Sequence, residues 1–153
     1  MATTFIDYKD DKGFWIAEIY MELTFEYINQ ALSNTKDEIP FRDDLLFEHE
    51  FFSNGYSKGI LTLLWNSFLQ YDKDNEQIMI GLVEETKQLV ASKGKHISTK
   101  ELNSYEEKKE SNVVWHKPLK TSEIIKILDA LILMLKDQWD ETSYDMKIDY
   151  SFV

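Results

Sequence analysis

The strongest constraint on the fold lies late in the chain. There Ile124, Ile125, Ile127, Leu128, Leu131, Ile132, Leu133, Met134 and Leu135 would make a helix apolar nearly all the way round. Such a helix cannot lie open to water and needs neighbours on most of its circumference. Pro118 precedes it, and Thr121 or Ser122 can cap it. The rest of the chain offers cover in helical periods. Over residues 14–32, Trp15, Ile16, Ile19, Tyr20, Leu23, Tyr27 and Leu32 recur at steps of three and four, which predicts an amphipathic helix. Pro40 opens a second helix over 41–52, ended by Asn54-Gly55. A third, largely buried, is expected over 56–69 from Ile60, Leu61, Leu63, Leu64, Trp65, Phe68 and Leu69.

Asp74 with Gln77 three residues on has N-cap spacing, and a fourth helix follows over 75–92 up to Gly94. Ser98-x-x-Glu101 is a capping-box sequence, which starts a short surface helix over 99–110. Beyond Trp139 the tail, 144–152, alternates apolar and polar residues, the period of a strand, with 5–8 as its expected partner. The fold class expected is mainly α: a single-domain helical bundle of five to six helices over residues 1–153, with a small β element formed by the termini. The final helix is expected at its centre. At 153 residues the chain matches one domain of roughly 150 residues and can bury about 70% of its unfolded surface.

Charge narrows the partners. The net charge is −11, and Arg42 is the sole arginine. Nucleic-acid affinity comes largely from Lys and Arg displacing counterions, so direct nucleic-acid binding is not expected. Without cysteine there is no thiol chemistry, no disulfide and no sulfur-ligated zinc. The longest apolar run, residues 130–135, is too short to span a bilayer, and no basic n-region leads an apolar stretch at the N-terminus. The expectation is a soluble, cytoplasmic protein with no membrane partner.

Catalytic patterns are lacking. Asp72-x-Asp74-x-Glu76 imitates the start of a calcium loop, but the sixth and twelfth positions hold Gln77 and Val83 where Gly and Glu are needed, which leaves helix capping as its role. His49, His96 and His116 lie in separate segments with no nucleophile elbow. His49, between Glu48 and Glu50, is expected to be solvated with a mildly raised pKa, since adjacent helical residues do not face each other. The glycines are too scattered for a phosphate-binding loop, so no cofactor or metal is expected.

The distribution of charge is more specific than any motif. Residues 1–50 hold twelve acids against four bases, a net of −8. Glu18, Glu22 and Glu26 repeat at four-residue spacing, and 37–50 carries Asp37, Glu38, Asp43, Asp44, Glu48 and Glu50 against Arg42, interleaved with Phe41, Leu46 and Phe47. Acidic surface with embedded aromatics suits the binding of a basic protein, because complementary fields speed encounter and aromatics supply anchors. The candidate partner-binding residues are Glu18, Glu22, Glu26, Asp43, Asp44, Phe47, Glu48 and Glu50. Residues 93–120 reverse the sign, with seven lysines against four glutamates, and read as a solvated connection that Trp115 and His116 could anchor beside Pro118.

A small, acidic, cysteine-free helical chain with aromatic-rich helices and carboxylate ridges resembles the immunity proteins of bacterial polymorphic-toxin and contact-dependent growth inhibition systems. The nearest local sequences are Gly13-Phe14-Trp15-Ile16-Ala17-Glu18 and Trp115-His116-Lys117-Pro118-Leu119. The resemblance implies a cytoplasmic, non-enzymatic binder that neutralises one cognate toxin domain, commonly a basic nuclease, and it transfers no functional residues. Two other classes remain open: a small cofactor-independent enzyme, and an oligomeric adaptor joined through exposed Trp15, Trp139 or Phe52.

Overall fold

The computed structural model describes residues 2–54 and 61–150. Among them the fold is mainly α, with six helices and a small β element. It opens on a strand, β1 (Thr3–Lys9), which buries Thr4, Ile6 and Tyr8, every second residue. The chain reverses through Asp10 and Asp11, both left-handed (φ 57° and 58°), and returns as β2 (Lys12–Ala17). Two successive left-handed residues give a tight hairpin turn whose twist suits the flanking strands. Ile6 lies opposite Phe14, and Phe5 opposite Trp15 with ring centroids 5.2 Å apart.

Residues 14–17 are therefore strand, not the first turn of the helix expected over 14–32. Phe14 and Ile16 are buried while Trp15 is exposed, a period of two. The steps of three and four that join Trp15 and Ile16 to Ile19 and Tyr20 cross a strand–helix junction. β5 (Tyr144–Asp145) runs parallel to β2 on its other edge, with Phe14 opposite Tyr144. The terminal sheet thus forms with β2 in the middle, instead of pairing 5–8 directly with the tail. Trp139 Nε1 donates to the Gly13 carbonyl at 2.9 Å, and the Gly13 N–H donates to the Glu141 carbonyl at 2.9 Å.

Helix α1 (Glu18–Asn34) follows without a loop and touches α2 (Arg42–Ser53), α4 (Lys73–Ala91) and α6 (Thr121–Leu135). Its buried set, including Ile19, Met21, Leu23, Phe25, Tyr27, Ile28 and Leu32, covers most of its circumference. α1, rather than α6, is thus the helix with the most helical neighbours. α6 packs against α4, α1 and β1, and buries Ile124, Ile127, Leu128 and Leu131 completely. Thr121 is its first residue and its hydroxyl donates to the Gly94 carbonyl at 2.7 Å, so neither Thr121 nor Ser122 caps it. Among the described residues no helix is long and apolar enough to cross a membrane.

Of the helix expected over 56–69, α3 (Trp65–Leu69) is helical and 61–64 are not, while 56–60 lie outside the described residues. Side chains take the backbone groups that a helix would use: the Thr4 hydroxyl donates to the Leu61 carbonyl, and the Leu64 N–H donates to Glu48. α4 is capped by Asp72, not Asp74, through Asn75 N–H at 3.0 Å. α5 (Thr99–Lys108) begins at Ser98 as the capping box predicts, with the Glu101 N–H donating to its hydroxyl at 3.1 Å. The span 93–120 is no loose connection, because β3 (His96–Ile97) pairs antiparallel with β4 (Leu119–Lys120) across α5, and Trp115 is buried.

A Cβ at Gly13 would lie 1.8 Å from the Ile6 carbonyl oxygen, a backbone atom that cannot move aside without disrupting the hairpin. Gly13→Ala should therefore lower stability in urea denaturation by about 3 kcal/mol, the upper range for overpacking. Gly81→Ala, in the middle of α4 with no atom beyond its chain neighbours and the local helix backbone within 4 Å of the added carbon, should raise stability by roughly 0.5–1 kcal/mol.

Candidate functional site

The eight sequence-derived residues divide by helix. On α1, Glu18 is buried at the first turn, where a carboxylate suits the positive end of the helix dipole. Glu22 and Glu26 do not form an open acidic ridge, because α5 supplies their counter-charges. Lys109 Nζ lies 3.3 Å from Glu22 and 3.1 Å from Glu106, and Lys108 Nζ lies 3.3 Å from Glu26. Burial pushes the Glu22 carboxyl above its ordinary range, with Lys109 pulling against it.

The same face of α1 carries the other ties to α5. The Tyr27 hydroxyl donates to Glu101 at 2.5 Å, and Tyr105 donates to the same carboxylate at 2.9 Å. Lys93 Nζ completes the cluster 3.0 Å from Glu101. Burial would raise the Glu101 carboxyl, but the donors from Tyr27, Lys93 and Tyr105 outweigh it and hold the group below its usual range. Glu101 thus makes half of a capping box: its N–H reaches Ser98 while its carboxylate holds α5 to α1.

Helix α2 separates the mixed sequence 41–52 into two faces. Leu45, Glu48, His49 and Phe52 point inward at the spacing of one helical stripe. Asp43, Asp44, Phe47, Glu50 and Phe51 are exposed. Glu48 is a socket for the chain at 61–64, accepting the Leu64 N–H at 3.0 Å, and burial pushes its carboxyl up to about 7 while the N–H pulls it down. His49 is completely buried, contrary to the solvated, mildly raised histidine expected. Its Nε2 accepts Trp65 Nε1–H at 3.0 Å, which leaves the ring proton on Nδ1, and burial lowers its pKa to about 3. The Phe25 ring centroid stands 4.4 Å away.

The outer face of α2 retains uncompensated charge. Arg42 donates to the Leu32 carbonyl at 2.6 Å, at the C-terminal end of α1, and forms no ion pair among the described residues. Asp43, Asp44 and Glu50 form no ion pair among the described residues, and Asp37 and Glu38 are exposed beside them in sequence. Phe47 is 77% exposed within this set, with Phe51 at 41%. Four of the eight residues, Asp43, Asp44, Phe47 and Glu50, thus share one exposed face, while Glu18 and Glu48 lie inside. Sequence reasoning missed Phe51. Phe51 was legible as the residue one helical turn beyond Phe47.

Among the described residues no group of three or more His, Asp or Glu side chains is placed to hold a metal ion. No family model, no curated protein and no solved structure matches the chain.

Glu48 and His49 make opposite contributions to the dependence of stability on pH. Between 4.5 and about 7 the folded protein keeps a proton on Glu48 that the unfolded chain has lost, so this contribution falls as pH rises. Between about 3 and 6.5 the unfolded chain protonates His49 and the folded protein does not, so that contribution grows as pH rises. Glu48→Gln keeps an acceptor for Leu64 and removes the first contribution. In urea denaturation its stability should climb from pH 3 to 6.5 and then level off, ending above the parent by about 3 kcal/mol at pH 8.

Lys109 is the cation between two buried carboxylates, with 8% of its side chain exposed, against 62% for Lys108. Lys109→Ala should cost about 3 kcal/mol by leaving Glu22 and Glu106 without a counter-charge. Lys108→Ala should cost less than about 1 kcal/mol, as expected of an exposed pair, with both read by chemical denaturation.

Proposed function

We propose that the protein is a non-enzymatic, cytoplasmic, protein-binding inhibitor of the immunity type, which neutralises a basic toxin domain through the outer face of α2. The observation that carries this reading is Phe47, a large apolar side chain 77% exposed beside the unpaired carboxylates of Asp43, Asp44 and Glu50. Burying that ring against a partner gains apolar contact area, and the carboxylates around it attract a basic surface. The basic groove of a nuclease, shaped for phosphates, has the complementary sign.

The other readings have less support. An enzyme would use Glu48 and His49, the perturbed acid and base of α2, but these are engaged with Leu64 and Trp65. An adaptor would expose Trp15, Trp139 or Phe52 in a contiguous patch; Trp15 is exposed, but Phe52 is buried and Trp139 is packed on Phe14 at 5.8 Å.

Co-expression with the products of the adjoining genes should identify a partner that co-purifies in a salt-sensitive complex and whose toxicity is relieved. With that partner, Asp43→Ala/Asp44→Ala should slow association several-fold at low salt, on the order of threefold to tenfold, with a shallower salt dependence. Phe47→Ala should weaken the complex about tenfold or more, chiefly by faster dissociation. Unchanged association and dissociation in both variants would exclude this face, and absence of both co-purification and rescue would exclude the function.

A further inference from the structure

One edge of β1 is paired with β2, and the other carries a row of backbone groups without partners. Hydrogen bonding between antiparallel strands falls on every second residue. The Glu18 N–H donates to the Ala2 carbonyl, and the register holds from there to Asp7 opposite Gly13. Thr4 and Ile6 share the phase of Ala2 and turn their backbone groups to β2, so those of Thr3, Phe5 and Asp7 point the other way. Among the described residues, no other residue donates to or accepts from these outward groups. The regular edge stops at the bulge after Asp7, where the Tyr71 hydroxyl donates to the Tyr8 carbonyl at 3.4 Å. Natural sheet edges are commonly blunted by lysine or proline, and Thr3-Thr4-Phe5-Ile6-Asp7 contains neither.

The surroundings of this edge select what can pair with it. Phe5 and Trp15 lie together on the solvent side of the sheet, where Trp15 is 45% exposed. The lysines of the hairpin turn away: Lys9 lies 3.8 Å from Asp137, and Lys12 lies 3.7 Å from Asp140. Asp7, Asp10 and Asp11 form no ion pair among the described residues. Burial and then Asp11 push the Asp7 carboxyl above its ordinary range, against the pull of its own N–H, and no cation relieves it. An extended segment with basic side chains meets both needs, because its backbone completes the row and its cation lies beside Asp7. A second copy of the chain does not, since it brings a net charge of −11 and another Asp7 to the same edge. We propose that β1 is a docking edge, which takes an extended, basic segment of a partner protein as a fourth strand of the terminal sheet, with a side chain of that strand packed on Phe5. The edge belongs to a different element from the outer face of α2, and the proposal does not rest on the inhibitor reading.

The probe is an acetylated and amidated seven-residue peptide of alternating arginine and valine, titrated into the intact protein and followed by amide resonances and hydrogen exchange. In the free protein the amides of Thr3 and Phe5 should exchange faster than those of Thr4 and Ile6. The peptide should shift the resonances of Thr3, Phe5 and Asp7 and slow exchange at Phe5. N-methylation of its arginine amides, which face the edge when arginine lies beside Asp7, should abolish binding, and N-methylation of its valine amides should not. The glutamate–valine counterpart should not bind. Asp7→Asn should weaken the arginine peptide roughly threefold, the scale of an exposed ion pair. Thr3→Pro, which removes an outward N–H at the start of the strand where proline is tolerated, should weaken it about threefold to tenfold. Slow exchange at Phe5 in the free protein would overturn the proposal: with a monomeric mass the chain itself covers the edge, and with a dimeric mass a second copy does. No shift at Thr3, Phe5 and Asp7, the same response to both N-methylated peptides, or equal binding of the glutamate peptide would overturn it as well.

Discussion

Almost every side of α1 is covered, and the rest of the molecule is arranged by that requirement. A 17-residue helix with Ile19, Met21, Phe25, Tyr27, Ile28 and Leu32 pointing in several directions cannot be shielded by one neighbour. α2, α4 and α6 take separate sectors of it, and the β1–β2 hairpin leads straight into its first turn. Entry is clamped by the Glu18 N–H donating to the Ala2 carbonyl at 2.9 Å. Exit is closed by Arg42 reaching back to Leu32. The lone arginine is thus committed to the end of α1, which is why the acids around it stay unpaired.

Enclosing α1 also encloses its acids. In a low-dielectric setting an isolated carboxylate is costly, and it is tolerated when a cation or several N–H and O–H donors reach it. α5 brings those groups as a set: Lys108, Lys109 and Tyr105, with Lys93 arriving from the end of α4. The lysine-rich stretch that reverses the charge of the sequence therefore serves the glutamates of α1. Trp115 is fixed in the same region, by two hydrogen bonds between its backbone and the Asn103 side chain and by its Nε1 donating to Glu106.

Part of the acidity that remains outside lies on α2, where one helix does two jobs. Its inner stripe places a glutamate and a histidine as acceptors for Leu64 and Trp65, and its outer stripe presents Phe47 among carboxylates. A rigid helix, held from within by polar sockets, keeps such an outward set in fixed relative positions, which reduces the ordering cost of an encounter with a partner.

The sequence by itself determined the mainly helical class, the positions of α2, α4, α5 and α6 to within a few residues, and the Ser98 cap, because helical period and capping are local properties read over one or two turns. It also determined which segments are rich in charge. Only the tertiary structure decided the rest. Residues 14–17 become strand because β1 offers its backbone, a partner that apolar spacing does not reveal. The tail joins β2 instead of 5–8 because β1 already holds one edge of that strand and leaves the other open. Glu22 and Glu26 pass from a surface ridge to an internal contact because lysines about eighty residues away in sequence fold against them. Glu48 and His49 are drawn inward because the backbone at Leu64 and the indole of Trp65 supply donors there. In each case the deciding group is distant in sequence, and a charged or polar residue shows its role only when the group that satisfies it is in place.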